Sequence, residues 1–266
     1  MPVASHKAPS AIILAAGKGT RMKSDLPKVV HPVGGSAMVC AVVEACRDAG
    51  CARIIVIVGY KQELVRSALA QHAVEFAVQD EQLGTGHAVR CCGPVLGADR
   101  YDASLETFVL CGDGPLIRAE TLRTMLAHHR STGATATLAT SVIDDPSGYG
   151  RVVRDAAGRF CGIVEQKNAT PEQLKLREIN PSYYCFQSKA LFDALERVER
   201  NPASGEYYVT DVPTILMGRG DRVELLSAVP PEDVLSINTP EDLAKVDAIY
   251  RSRAKAGRPQ PVGRLA

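Results

Sequence analysis

The densest group of chemistry-bearing residues is Leu14-Ala15-Ala16-Gly17-Lys18-Gly19-Thr20-Arg21-Met22, which runs on through Lys23 to Pro27-Lys28. Small residues there let a ligand approach the backbone closely. Exposed N–H groups in such a turn form an anion cradle. Lys18, Arg21, Lys23 and Lys28 add positive charge suited to a triphosphate. Two common phosphate loops do not fit. A P-loop needs Gly-x4-Gly-Lys-Ser/Thr, but Lys18 is followed by Gly19 and no glycine stands five before Gly17. A dinucleotide fingerprint needs a third small residue where Met22 sits.

A second candidate is Leu110-Cys111-Gly112-Asp113-Gly114-Pro115, which places one carboxylate just past an apolar run. Mg²⁺ takes oxygen ligands and keeps several waters and phosphate oxygens, so one or two protein ligands suffice. Asp113 is the expected metal ligand; turn chemistry before Gly-Pro would also favour an aspartate here. Ser236-Ile237-Asn238-Thr239-Pro240 precedes the last expected helix, where Asn238 or Thr239 could act as a cap.

These residues need a scaffold. The pattern predicts strands at 11–14, 53–58, 74–78, 107–111 and 135–142. Helices are expected at 38–49, 62–69, 85–92 and 119–129. Repeated strand-then-helix units imply an α/β fold, Rossmann-like, with a mostly parallel central sheet and helices on both faces. In an open sheet of that kind ligands bind at the carboxyl ends of strands, where the 14–28 loop lies.

The second half changes texture. A hairpin is expected from 151–154 and 160–166, turning at Ala157-Gly158. A strand at 183–186 and a helix at 189–198 follow. Beyond them come a helix at 210–217, a strand at 223–228 and a closing helix at 240–251. This half is expected to form a small β-rich subdomain at the sheet's edge and then return to the sheet. With no clean linker, residues 11–252 are expected to form one domain, with a flexible tail at 1–10 and a basic, disordered tail at 253–266.

Composition narrows the class. The chain has 266 residues, 31 basic against 30 acidic, so nothing calls for a nucleic-acid partner. The N-terminus has no apolar secretory segment, and the longest apolar runs are too short to cross a bilayer. Eight cysteines are scattered without a CxxC pair, which predicts reduced, buried thiols and a cytoplasmic protein.

The string Leu-x-x-Gly-x-Gly-Thr-Arg-Met followed by Pro-Lys resembles the signature of sugar-1-phosphate nucleotidyltransferases, which have the nucleotide-diphospho-sugar transferase fold. Further segments are similar to the bacterial N-acetylglucosamine-1-phosphate uridyltransferases: Gln79–Ala88, Asp144–Arg151, Gly162–Lys167, Glu178–Asn180 and Gly205–Asp211. The resemblance covers about residues 11–250. It implies UTP and N-acetylglucosamine 1-phosphate as substrates, UDP-N-acetylglucosamine and pyrophosphate as products, and Mg²⁺ as cofactor. Leu14, Ala15, Ala16, Gly17, Gly19 and Thr20 would bind nucleotide. Gln79, Gly84 and Thr85 would read uracil, since a base edge needs paired donors and acceptors; Thr85 could also cap a helix.

By the same resemblance Gly150, Glu165 and Asn180 would bind the sugar, with Tyr208 and Thr210 close by. Asp113 and Asn238 would hold the metal, and Arg21 and Lys28 would be catalytic. After Asn180 the family usually continues Thr-Gly, whereas this chain has Pro181-Ser182, which alters the backbone beside the sugar. The family also continues into a β-helix of hexapeptide repeats that carries acetyltransferase activity and builds a trimer. No such repeats occur before Ala266, so neither trimerisation nor that activity is expected. Two alternatives stay open: a nucleotidyltransferase for a different sugar 1-phosphate, and a non-catalytic nucleotide-sugar-binding protein.

Overall fold

The computed structural model describes residues 6–227 and 229–256. β1 (Ser10–Leu14) is apolar because both its faces are buried: Ala11 and Ile13 enter one core cluster and Ile12 the other. A short ribbon of β2 (Pro32–Val33) and β3 (Ser36–Ala37) leads into α1 (Met38–Asp48). β4 (Arg53–Val58), α2 (Gln62–Ala68) and β5 (Glu75–Val78) follow. Next come α3 (Thr85–Arg90), α4 (Gly93–Leu96), β6 (Glu106–Cys111), α5 (Ala119–Thr132) and β7 (Ala136–Ala139).

The chain then builds a smaller layer from β8 (Ser141–Val142), β9 (Gly150–Arg154), β10 (Phe160–Val164), α6 (Pro171–Leu174) and β11 (Glu178–Asn180). It returns as β12 (Tyr183–Gln187), α7 (Ser188–Leu195), α8 (Val212–Gly218), β13 (Val223–Leu226) and α9 (Pro240–Ala256).

The main sheet has the order β13-β7-β12-β6-β1-β4-β5. β12 alone runs antiparallel to its neighbours; the other pairings are parallel. The smaller antiparallel sheet has the order β10-β9-β11-β8. Helices cover both faces of the main sheet. α1, α5 and α9 contribute Val42, Met125 and Val246 to the cluster that also holds Ile13 and Val56. α3, α7 and α8 contribute Val89, Leu191 and Leu216 to the cluster that also holds Ile12 and Ile55. Each such side chain removed from water contributes roughly 1.5–3 kcal/mol. Alternate residues of one strand therefore anchor helices on opposite sides, and the strand ends are held in place for a site.

Several expectations are corrected. The single strand at 135–142 is two: β7 belongs to the main sheet and β8 to the small one, with Thr140 at the crossing, its N–H bonded to Leu226 O at 2.9 Å. The helix expected at 85–92 ends at Arg90, with a separate short α4 starting at Gly93, and the helix at 210–217 begins with a 3-10 turn at Val209–Asp211 before α8. The last strand ends at Leu226; Ala228 lies outside the described residues.

Part of each expected tail lies among the described residues and is held to the fold. Lys7 pairs with Asp102 and its carbonyl accepts from Arg130 at 2.7 Å, which ties down residues just ahead of β1. α9 continues to Ala256, and Arg253 bonds to Asp233 at 2.6 Å. Residues 1–5 and 257–266 lie outside the described residues. All eight cysteines are free thiols; Cys40, Cys46, Cys92 and Cys185 are buried as expected, but Cys161 is exposed.

Candidate active site

β1 and β6 are parallel neighbours that end side by side, Leu14 opposite Cys111. β1 opens into the 15–28 loop and β6 into Gly112-Asp113, whose first N–H donates to Leu14 O at 2.9 Å. β4 flanks β1 on the other side, so this crevice lies where the chain's crossovers diverge, the usual ligand position in an open α/β sheet.

The loop folds back on itself at Gly19. This residue has φ of 72°, and a Cβ there would stand 2.5 Å from Lys28 Cβ. Lys28 is thereby aimed across the crevice. Its ammonium donates to Asp113 Oδ2 and, at 2.6 Å, to Asn238 Oδ1. Arg21 donates to the same Asn238 oxygen at 2.7 Å. The Lys28 and Asp113 side chains are only 15% and 21% exposed, so this pair is not a screened surface contact.

The Asn238 segment is brought in from the far end of the chain. Ile237 N–H donates to Asp113 O at 3.1 Å. Thr239 and Asp242 cap α9 reciprocally: Asp242 N–H donates to Thr239 Oγ1 at 3.1 Å and Thr239 N–H to Asp242 Oδ2 at 2.9 Å. Capping therefore falls to Thr239, leaving Asn238 Oδ1 to face the cations.

Asp113 Oδ2 and Asn238 Oδ1 converge on one ammonium, so two hard oxygens share a position that a divalent cation suits. Among the described residues no group of three or more His, Cys, Asp or Glu could hold a metal. A two-oxygen donor set fits Mg²⁺, which keeps waters and takes phosphate oxygens, better than a metal needing a full protein cage.

Two cavities flank this network. The first is lined by Leu14, Ala16 and Gly17 from β1 and its loop, and by Gln79, Gly84 and Thr85. Gln79 donates to Gly84 O at 3.0 Å and meets His87 Nδ1 at 3.1 Å, which fixes its amide. Gly84 has φ of 101°, and a Cβ there would lie 2.5 Å from Tyr207 O. Tyr207 accepts from Gly86 N–H and donates to Leu83 O, both at 2.8 Å, so the 205–209 segment is stitched over the turn. Thr85 does not cap α3; its hydroxyl accepts from Val209 N–H at 3.0 Å. Ala15 is buried in the core, and neither Gly19 nor Thr20 lines this cavity.

The second cavity brings together Asp113, Asn238, Gly150, Glu165 and Asn180. Tyr208 and Thr210 do not line it. Thr210 stands behind Glu165 and donates to its Oε1 at 3.1 Å, and Tyr208 donates to Ser204 Oγ at 2.6 Å. Desolvation pushes the Glu165 carboxyl up from the usual range, opposed by the Thr210 bond. Burial, with Asp113 nearby, pushes the Cys111 thiol up to about 12, so it stays protonated on the cavity wall.

Sequence reasoning missed Gln82 and Glu206 in the first cavity and Cys111, Tyr149 and Ser236 in the second. Each stands inside or beside a quoted segment. Their contribution depends on long-range pairings such as Tyr207 with Leu83, which local pattern does not encode.

The MobA-like NTP transferase domain family matches residues 11–209. The chain belongs to this family. It is 45% identical over 245 residues to the bifunctional protein GlmU of Geobacter metallireducens, covering 92% of this chain and 51% of that protein. It is 45% identical over 243 residues to GlmU of a Geobacillus species, covering 91% and 52%. The chain thus spans about half the length of the curated relatives it matches. A Bacillus anthracis protein described as a glucose-1-phosphate thymidylyltransferase, solved with sucrose, superposes with a TM-score of 0.74 at 23% identity, covering 92% of this chain and 96% of that one. A UDP-glucose pyrophosphorylase solved with UDP-glucose gives 0.70 at 16% identity, covering 93% and 100%. These two show the nucleotidyltransferase fold of this NTP transferase domain.

Proposed function

We propose that this chain is a uridylyltransferase that joins UTP to N-acetylglucosamine 1-phosphate, releasing pyrophosphate and leaving UDP-N-acetylglucosamine. The observation that carries the reading is the convergence of Lys28 and Arg21 on Asp113 and Asn238. Lys28 belongs to the loop that begins on the wall of one cavity; Asp113 and Asn238 line the other. Similarity to the GlmU proteins over 92% of the chain supports the choice of substrates.

The first cavity takes the nucleotide, with Gln79 and the Gly84-Thr85 backbone against uracil. The second takes the sugar on Gly150, Glu165 and Asn180. Two anions must meet, so positioning and charge neutralisation do most of the work. A phosphate oxygen of the sugar attacks the α-phosphorus in line. The attacking phosphate is already ionised, so no protein nucleophile or general base is required. Lys28 and Arg21 turn their charge toward the α-phosphate and the departing pyrophosphate. Asp113 and Asn238 would hold Mg²⁺, which supplies further charge neutralisation when bound.

A second reading, a different sugar 1-phosphate, is favoured by one observation: Pro181 and Ser182 line the sugar cavity where the resembling family usually has Thr-Gly. Mg²⁺-dependent pyrophosphate release, measured over a panel of nucleoside triphosphates and sugar 1-phosphates, tests both. The proposal predicts the highest kcat/KM for UTP with N-acetylglucosamine 1-phosphate. A preference for another sugar selects the second reading, and no release with any pair sinks both.

A further inference from the structure

Tyr149 sits at the turn that enters β9, on the wall of the second cavity. Its ring packs against the core and its hydroxyl reaches the opposite wall. There it donates to Val234 O at 2.9 Å and accepts from Ser236 N–H at 3.0 Å. Ser236 Oγ lies 3.4 Å from the same hydroxyl and accepts from Asn238 Nδ2 at 3.1 Å. A directional chain results: Asn238 amide to Ser236 hydroxyl to Tyr149 hydroxyl to Val234 carbonyl. Each hydroxyl accepts on one side and donates on the other.

The chain has a consequence for Asn238. An amide can face either way, and its hydrogen-bond partners decide which. With Nδ2 committed to Ser236, Oδ1 is turned toward Lys28, Arg21 and the cation position beside Asp113.

The other end of Tyr149 is held as firmly. Its carbonyl accepts from Arg151, a residue only 2% exposed. Arg151 also donates to Gln166 Oε1 at 3.3 Å, and that same oxygen accepts from Gly148 N–H. The Gly148-Tyr149-Gly150 backbone on the sugar side is therefore fixed by a buried guanidinium, while its tyrosine hydroxyl fixes the loop on the metal side.

We propose that Tyr149 is a positioning residue that couples the two walls: it holds the 148–150 turn against the sugar and, through Ser236, orients Asn238 toward the divalent cation. The inference rests on the proposed function for the identity of the ligands. Its test reads metal binding as well as turnover, so the two can fail separately.

The variants are Tyr149→Phe, which keeps the ring, and Ser236→Ala, which cuts the chain one step closer to Asn238. Mn²⁺ binding is titrated by the loss of its free-ion resonance signal, with and without UTP, beside steady-state kinetics and melting temperatures. Tyr149→Phe is expected to weaken Mn²⁺ binding about tenfold, the scale of one or two neutral hydrogen bonds. It should raise the KM for sugar phosphate several-fold while the KM for UTP stays within twofold. Ser236→Ala should weaken Mn²⁺ similarly and raise the sugar KM less than Tyr149→Phe does, because it leaves the 148–150 turn in place. Unchanged Mn²⁺ affinity in both variants overturns the proposal. So does a uniform loss, in which both KM values and the Mn²⁺ affinity worsen in step with a falling Tm. If the wild type releases no pyrophosphate, the functional reading fails, and the Mn²⁺ titration still supports or overturns the role of Tyr149.

Discussion

Lys28→Ala removes the cation that bridges Asp113 and Asn238 and leaves the loop glycines in place. A unit charge about 4 Å from a phosphate oxygen, in a partly desolvated site of effective dielectric about 20, interacts with about 4 kcal/mol. The Lys28 side chain is 15% exposed, which justifies that dielectric over the value for water. The part realised only as charge shifts toward pyrophosphate is comparable to one oxyanion donor, about 3–4 kcal/mol or 10²–10³ in rate. The expectation is that kcat falls by about 10²–10³ while the KM for UTP moves less than tenfold. Lys28→Arg should not restore the rate, because a planar guanidinium does not replace a compact ammonium, and Lys28 Cβ, Cγ and Cδ already lie against Gly19. The assay is single-turnover pyrophosphate release at saturating UTP, Mg²⁺ and sugar phosphate. Lys28→Ala turnover within tenfold of wild type would refute the reasoning.

Three further outcomes are expected. Gly84→Ala places a Cβ 2.5 Å from Tyr207 O at φ of 101° and should cost about 2–5 kcal/mol by chemical denaturation; Gly17→Ala, with nothing within 4 Å, should stay within about 0.5 kcal/mol. Glu165→Gln should stabilise the protein at pH 7–8 and raise the sugar-phosphate KM. Its folded pKa is raised by burial, so its favourable contribution is present below the ordinary carboxylate range and lost as pH rises, and the variant's advantage should shrink on acidification. His129 is 2% exposed and burial lowers its pKa from 6.5 to about 4, so it contributes stability above pH 6.5 that is lost as pH falls through 4. That shift corresponds to about 3 kcal/mol of acid destabilisation, which His129→Gln should remove from a stability-against-pH curve.

The main sheet was legible because each of its strands is a compact apolar run with helices between. Arg53–Val58 reads as a strand and forms one, since both its faces need covering and no other element could bury Ile55 and Val56 at once. The crossing at Thr140 was not legible. Residues 135–142 carry one continuous pattern, and only strands from distant segments, β12 and β13 beside β7 and β11 beside β8, assign its halves to different sheets. The candidate site divides the same way. Gly17, Gln79, Gly84 and Thr85, which the family resemblance implied for the nucleotide, all line the first cavity. Tyr208 and Thr210 were expected beside the sugar, yet they stand one layer back, because the 3-10 turn at Val209–Asp211 rotates Thr210 onto Glu165. Glu206, in contrast, reaches the first cavity through the pairing of Tyr207 with Leu83.

Ser182 joins the sequence reading to the sugar side of the proposed site. The departure Pro181-Ser182 was expected to change the backbone there, but Ser182 adopts φ of 63°, a conformation that glycine reaches freely and that costs an L-residue about 1–2 kcal/mol. Its N–H donates to Asn180 Oδ1 at 3.1 Å, a local bond that helps offset the cost. Asn180 is held from both ends, because its Nδ2 donates to the buried Tyr184 hydroxyl at 2.5 Å. Ser182 thus holds a left-handed conformation and puts a Cβ and a hydroxyl at the cavity wall. If the proposed sugar 1-phosphate occupies this cavity, its selection at this point turns on side-chain volume and one extra polar group. A Ser182→Gly variant should then change the KM for the sugar 1-phosphate and not that for UTP, since Ser182 lines the second cavity and not the first.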